Sequence, residues 1–232
     1  MSATFVFLHV GPANGLPTLL VRSIRAIQPE AEIVQCTDST TLAVEGVNSV
    51  VRSAGDTSNL MIFRLQSFAA LSAAKPALYL DTDMLCVSRI DPAFELGDGD
   101  VAVCHREFNC ASPFNTGFAG LDLSEYSNMT LAEVYPYVAC ATVTRDNRFW
   151  AACLENLQTL ASKFHYWYGD QEAIRNVIRT GRFNSKRLPE SRFGCLPEAQ
   201  PSASEAPYLM HFKGAHRKPL MLEFARKRGL AP

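Results

Sequence analysis

The sequence predicts an α/β domain with a mixed, mainly parallel central sheet flanked by helices. Three observations lead there. The chain opens strand–helix–strand, the unit that joins parallel strands. Later apolar, β-friendly runs are separated by segments whose apolar residues recur at three and four. Its 232 residues, 47% hydrophobic and 19% charged, suffice for one core and have ordinary globular composition.

The elements follow in order. Residues 4–10, TFVFLHV, read as a buried first strand ending at Gly11. Pro17 opens a helix with Leu16, Leu20, Ile24 and Ile27 on one face, and Pro29 closes it. AEIVQC is a second strand. GDTS caps a helix carrying Met61, Leu65, Phe68 and Leu71, Pro76 stops it, and ALYL is the next strand. Strands are expected at 101–105 and 114–119. A helix over about 145–163 carries Phe149, Cys153, Leu157 and Leu160, and another runs from near Asp170 to Gly181. YLMHF is a late strand, followed by HFKGAHRKP and a basic final helix. Residues 197–207, PEAQPSASEAP, are the one linker-like stretch, too short to separate domains.

Composition excludes some classes. With 22 Lys plus Arg against 23 Asp plus Glu, the chain lacks the basic excess of a general nucleic-acid binder. The balance is uneven along it: residues 1–142 hold 7 basic and 15 acidic side chains, residues 143–232 hold 15 and 8. That is either solvated surface or a second half suited to receiving an anion. Seven cysteines, an odd number without a CxxC pair, read as buried free thiols of a reducing compartment. The start MSATFVFLHVG has no basic lead-in, and its apolar run is too short for a signal peptide. A cytoplasmic location is expected, with at most peripheral membrane contact through the basic end at Arg226, Lys227 and Arg228.

LYLDTDMLC, residues 78–86, carries the chemistry. Asp81 and Asp83 fall at the carboxyl end of a central strand, where open α/β sheets place ligands. Residues i and i+2 of an extended segment point the same way. Two like charges there either hold a divalent cation, Mg²⁺ or Mn²⁺, or bond to backbone amides in a surface turn. Three further stretches bear on the choice. In PFNTGFAG, Asn115 and Thr116 are polar and Gly117 allows close backbone approach; a bulged strand is the plain alternative. In YGDQEAI, Asp170 and Gln171 begin a helix, and Asp170 can be an N-cap. In HFKGAHRKP, His211 follows a strand and can complete a metal shell, while Arg217 and Lys218 can hold phosphate or be a solvated basic tail.

Together these residues resemble the A-type glycosyltransferases of the glycogenin and bacterial lipopolysaccharide galactosyl- and glucosyltransferase family (glycosyltransferase family eight). FRLQSF, LYLDTDMLCVSRID, FNTGFAG, YGDQEAI and HFKGAHRKP occur in that family's order over residues 63–219. The resemblance implies a GT-A fold: one Rossmann-like domain over 1–232, with 1–120 mainly binding nucleotide sugar and metal and 121–232 mainly the acceptor side and closing motifs. It implies transfer of a hexose from a nucleotide sugar, expected to be a UDP-sugar, to a saccharide or glycolipid acceptor, with retention of configuration. Asp81, Asp83 and His211 would hold Mn²⁺ or Mg²⁺, with Asp81 also at the donor. Arg64, Asn115, Thr116, Gly117, Gly214, Arg217 and Lys218 would contact the donor, and His9 stands where the family contacts the base. Asp170 would hold sugar hydroxyls and Gln171 would lie on the reactive face of the anomeric carbon.

The sequence departs from the family's closing H-x-x-G-x-x-K-P-W. There is an extra residue between Gly214 and Lys218, and Leu220 replaces the tryptophan. A non-catalytic nucleotide-sugar binder is therefore an alternative. A haloacid-dehalogenase-type phosphatase is another, although its DxD belongs near the N-terminus. A sugar-nucleotide pyrophosphorylase would need basic residues in GPANGLP, which has none.

Overall fold

The structure, a computed structural model, describes residues 3–12, 15–73, 75–117, 120, 122–199 and 206–231. The opening unit forms as the pattern predicts. Strand β1 (Thr4–Leu8) leads into helix α1 (Leu16–Ile27), with Pro17 in its first turn, and then into β2 (Glu32–Thr37). A short β3 (Ser49–Arg52) follows. Asp56 accepts from Ser58 and Asn59 in a turn, and α2 (Leu60–Ala70) begins directly after it. ALYL forms β4 (Ala77–Leu80), and MLC forms β5 (Met84–Cys86). Asp91 caps the one-turn α3 (Pro92–Leu96) ahead of β6 (Val101–His105).

In the second half, the Thr130–Glu133 capping box starts α4 (Leu131–Val134), which leads into β7 (Tyr137–Thr144). Helices α5 (Arg148–Thr159) and α6 (Gly169–Arg179) precede β8 (Ser185–Pro189) and α7 (Glu190–Phe193). β9 (Leu209–His211) and α8 (Lys218–Lys227) complete the described elements.

Seven strands make one sheet in the order β3-β2-β1-β4-β7-β6-β8. β3, β2, β1 and β4 pair in parallel, as do β6 and β8, and only β7 runs against its neighbours. Strands from both halves of the sequence thus share one sheet. Alternation sorts side chains between its faces. Val6, Tyr79, Val101 and Val103 pack under α2, α5 and α6. Phe5, Phe7, Leu78, Leu80, Ala102 and Cys104 face α1 and α7. A separate two-stranded antiparallel ribbon joins β5 to β9 and packs against α1 and α8.

Several expectations need correction. The first strand stops at Leu8, because the chain leaves the ladder after His9 N donates to Cys36 O at 3.0 Å. No strand forms over 114–117: Asn115 folds back to accept from Gly117 N at 3.1 Å, and a single bridge at Pro113 is the only pairing there. Phe118 and Ala119, the remainder of that stretch, lie outside the described residues, as do 200–205 of the linker-like segment. The helix predicted over 145–163 spans Arg148–Thr159, then turns through a 3-10 segment at Ser162–His165. All seven cysteines are free, six of them buried, as the odd count predicted. No helix among the described residues is long and apolar enough to cross a membrane.

The α2–α5 side of the core centres on Phe68, Tyr79 and Trp150, whose ring centroids lie 4.9 to 5.1 Å apart in edge and tilted contacts. Trp150→Ala is expected to lower unfolding free energy by about 3–5 kcal/mol. Urea denaturation checks this, and a loss below about 1 kcal/mol would show that the three rings do not anchor this layer.

Candidate active site

The site is built where β4 ends. Asp81 N continues the ladder by donating to Cys140 O on β7 at 3.0 Å, so the first aspartate is fixed by the sheet. The chain then turns, and the ribbon fixes the second aspartate. Met84 pairs with His211, and Phe212 N donates to Asp83 O at 2.9 Å. That register brings His211 Nε2 to 3.4 Å from Asp83 Oδ1. One donor atom from each of Asp81, Asp83 and His211 falls within 4.8 Å of the others.

Arg64, one turn into α2, ties this group to α6. Its Nη2 lies 2.7 Å from Asp81 Oδ1 and donates to Ala139 O, while Nη1 donates to Asp170 Oδ2 at 3.0 Å. Asp170 Oδ1 accepts from Gln171 N at 2.8 Å, so both its oxygens are engaged. Gly169 makes the arrangement possible. A Cβ there would lie 1.9 Å from Phe164 O, so only glycine lets α6 begin this close to the preceding turn. Tyr168, before it, adopts φ +59°, a left-handed conformation uncommon outside glycine.

Electrostatics separate the two aspartates. Desolvation in the cleft, with the neighbouring charge of Asp83, holds Asp81 above the usual carboxylate range against the pull of Arg64. Burial also works against ionised Asp83, but the hydrogen bond and charge of His211, with the charge of Lys218, bring it below that range. Burial opposes protonation of His211, yet Cys140 and Asp83 raise its pKa overall. Cys140 is itself held as a neutral thiol by burial, so Asp83 is the effective partner near neutrality. Two carboxylate oxygens and an imidazole nitrogen, one carboxylate reluctant to ionise, are a donor set that a divalent cation such as Mg²⁺ or Mn²⁺ fits.

These groups line a cleft of about 590 Å³. Of the residues singled out in the sequence, Arg64, Asp81, Asp83, Asp170, Gln171, His211, Gly214, Arg217 and Lys218 border it. Gly214 has φ +84° in the loop after β9. Arg217 is engaged by Glu198 in a forked ion pair, whereas Lys218 is exposed and has no ion-pair partner among the described residues. Asn115, Thr116 and Gly117 do not border this cleft, and Asn115 and Gly117 are exposed. His9 lines a different hollow, of about 400 Å³, with Thr40 and Thr41. Its Nε2 is buried without a hydrogen-bond partner among the described residues.

Sequence reasoning missed Arg106, Lys213 and Trp167, which also border the cleft. Arg106 bore no motif, Lys213 lay unmarked within HFKGAHRKP, and nothing in the sequence showed the β6 end and the β9 loop meeting at α6. A larger hollow of about 730 Å³ between α1 and the last described residues holds no comparable grouping of carboxylates and histidine.

The fold is that of A-type glycosyltransferases. The chain is similar to the galactosyltransferase LgtC, solved in complex with donor and acceptor sugar analogues, at 16% identity and TM-score 0.60, covering 98% of this chain and 94% of that one. It is also similar to the glycosyltransferase GlyE of Streptococcus pneumoniae TIGR4, at 13% identity and TM-score 0.60, covering all of this chain but 65% of that one. The bifunctional glycosyltransferase WbbM aligns at 16% identity and TM-score 0.56 over 92% of this chain, which spans only 46% of WbbM. No family model and no curated protein matches the sequence.

Two outcomes follow from this geometry. Gly169→Ala is expected to cost roughly 1–3 kcal/mol and to displace Asp170 and Gln171, read by thermal melting. Full stability would mean the turn at Phe164 relaxes freely. The raised pKa of His211 gives the metal-free protein stability that is complete below its unfolded value, about 6.5, and lost as pH rises through the folded value. A cation must displace that proton. Calorimetric titration with Mn²⁺ at pH 7.5, in buffers of different ionisation enthalpy, is therefore expected to show release of about one proton. Zero release would remove His211 from the donor set.

Proposed function

We propose that this protein is a metal-dependent glycosyltransferase that moves a hexosyl unit from a nucleotide sugar, a UDP-sugar, to a saccharide or glycolipid acceptor with retention of anomeric configuration. The observation that carries the reading is the Asp81–Asp83–His211 group, joined through Arg64 to Asp170 and Gln171 in one cleft. The GT-A fold shared with LgtC, which binds donor and acceptor sugar analogues, supports it.

In this mechanism Asp81, Asp83 and His211 would hold Mn²⁺ or Mg²⁺. Bound there, the cation supplies Lewis-acid stabilisation of the charge that develops on a departing diphosphate. Lys218, exposed and near enough to bias Asp83 electrostatically, offers a second cation to the same oxygens. Arg64 bridges the two carboxylates flanking it, so Asp170 keeps one orientation toward the sugar hydroxyls. His9, at the carboxyl end of the strand beside β4, would contact the nucleotide once its Nε2, buried without a hydrogen-bond partner among the described residues, is uncovered. Asn115, Thr116 and Gly117 remain donor contacts in the proposal, requiring the 115–117 turn to move toward the cleft.

Retention can arise by a covalent intermediate or by attack on the face the diphosphate leaves. Asp170 is poorly suited as the nucleophile, because Arg64 and the Gln171 amide occupy its oxygens. Gln171 is a weak nucleophile whose carbonyl can steady a positive sugar. These features favour same-face attack.

Thermal melting with UDP and UDP-sugars, with and without Mn²⁺, tests the reading. A Mn²⁺-dependent rise is expected, since binding to the native state raises Tm. A flat response to all of them would overturn the nucleotide-sugar assignment. Asp83→Ala is expected to abolish metal-dependent turnover with the fold intact, and full activity would remove Asp83 from the site. Because Glu198 already engages Arg217, Lys218→Ala is expected to lower kcat roughly 100-fold and Arg217→Ala less than about 10-fold. The reverse order would make Arg217 the phosphate contact.

A further inference from the structure

Arg106 is not accounted for by the proposed chemistry. It follows β6, borders the cleft and is only 6% exposed. A guanidinium carries five N–H donors. Nε donates to Tyr135 O at 2.8 Å and one Nη2 hydrogen reaches Gln171 Oε1 at 3.4 Å. The other three have no acceptor, and no carboxylate pairs with Arg106, among the described residues.

That isolation sets Arg106 apart from the other arginines of the cleft. Arg175, the other buried arginine among the described residues, is paired with Glu172. Arg64 has two aspartates, Lys213 has Glu190 and Arg217 has Glu198. Acids close to it in sequence or contact are committed elsewhere: Asp170 to Arg64 and the Gln171 amide, Glu172 to Arg175. Glu107 Oε2 accepts from Ser191 N at 2.8 Å, and Glu190 accepts from Glu107 N, Phe108 N and Lys213. A mostly buried cation without a counter-charge is costly even where its free donors open onto the cleft, and the planar fork of arginine matches a carboxylate.

We propose, resting on the reading above, that Arg106 receives a carboxylate carried by one of the two sugars that meet beside Gln171, so that the protein handles an acidic saccharide. The order of contacts favours a sugar over the diphosphate. It runs from Asp81 through Arg64 to Asp170, Gln171 and then Arg106, so Arg106 touches the residue placed at the anomeric carbon, whereas Asp83 and His211 pair with each other. The acid is either a donated hexuronic acid or an acidic residue of the acceptor.

The experiment uses the whole chain with Mn²⁺. Calorimetry compares UDP, UDP-glucose, UDP-galactose, UDP-glucuronate and UDP-galacturonate, and transfer assays compare methyl galactoside with its uronic acid counterpart as acceptor. A preference of roughly 10–100-fold for the acidic member is expected in one arm, and that arm names the source of the carboxylate. UDP binding without acid preference in either arm overturns the proposal and leaves the glycosyltransferase reading standing. Absence of UDP binding overturns both. Arg106→Gln is expected to collapse the acid-to-neutral ratio, and Arg106→Lys to restore part of it. Equal losses on acidic and neutral substrates would mean that Arg106 only steadies Gln171, which overturns the proposal. If Arg106→Gln fails to fold, the wild-type ratios still decide.

Discussion

The whole site depends on one guanidinium. Arg64 lies between Asp81, which ends a central strand, and Asp170, which begins a helix 89 positions later in the sequence. Without it two carboxylates would share a poorly hydrated cleft, and the repulsion would favour protonating or parting them. With it, one fork converts that repulsion into two charge-assisted contacts and a bond to Ala139 O, tying α2, β4, β7 and α6 together. Buried ion pairs often add little net stability. Here the pairing holds carboxylates from two elements in fixed directions, which a substrate with many hydroxyls requires.

The second constraint is the β5–β9 ribbon. It is only three residues long on each strand, yet it closes a sequence separation of more than 120 residues. Shifting its register by one residue would turn His211 away from Asp83 to the opposite side of the strand. The register is held from behind by Leu85, Met210 and Phe212, which pack with Met221 and Ala225 of α8 and Leu19 of α1. The apolar contacts of the last helix thus determine whether an imidazole reaches the aspartates. Lys218, at the start of that helix, is placed by the same packing.

What was legible in the sequence follows the strength of each local signal. The opening β-α-β unit, α2 with ALYL after it, and α6 carried periodic patterns that tertiary packing only reinforced. β7 was not legible. YVACATVT holds a Tyr, two Val and two Thr but lacks the apolar–polar alternation of a half-exposed strand, because its place between β4 and β6 buries it on both faces. β3 and β8 are short edge strands with polar residues and little alternation. Asp81, Asp83, Asp170, Gln171 and His211 could be marked because each sat beside a clear strand or helix boundary. Arg106 could not, since its role depends on a neighbour 65 positions away and on the absence of an acid. Glu198, which engages Arg217, was equally hidden.

The charges of the cleft follow a pattern. Three of its arginines and lysines are matched to acids: Arg64 to Asp81 and Asp170, Lys213 to Glu190, Arg217 to Glu198. Two cations among the described cleft residues, Lys218 and Arg106, lack such a partner. Lys218 lies toward Asp83 and is solvated. Arg106 lies beyond Gln171 and is buried. A solvated lysine costs little while it waits for a ligand, so its freedom suits any phosphate that arrives there. A buried arginine pays continuously for lacking one. Arg106 is therefore the more demanding about what binds, and selectivity for the substrate should be sought beside Gln171 rather than at the aspartate pair.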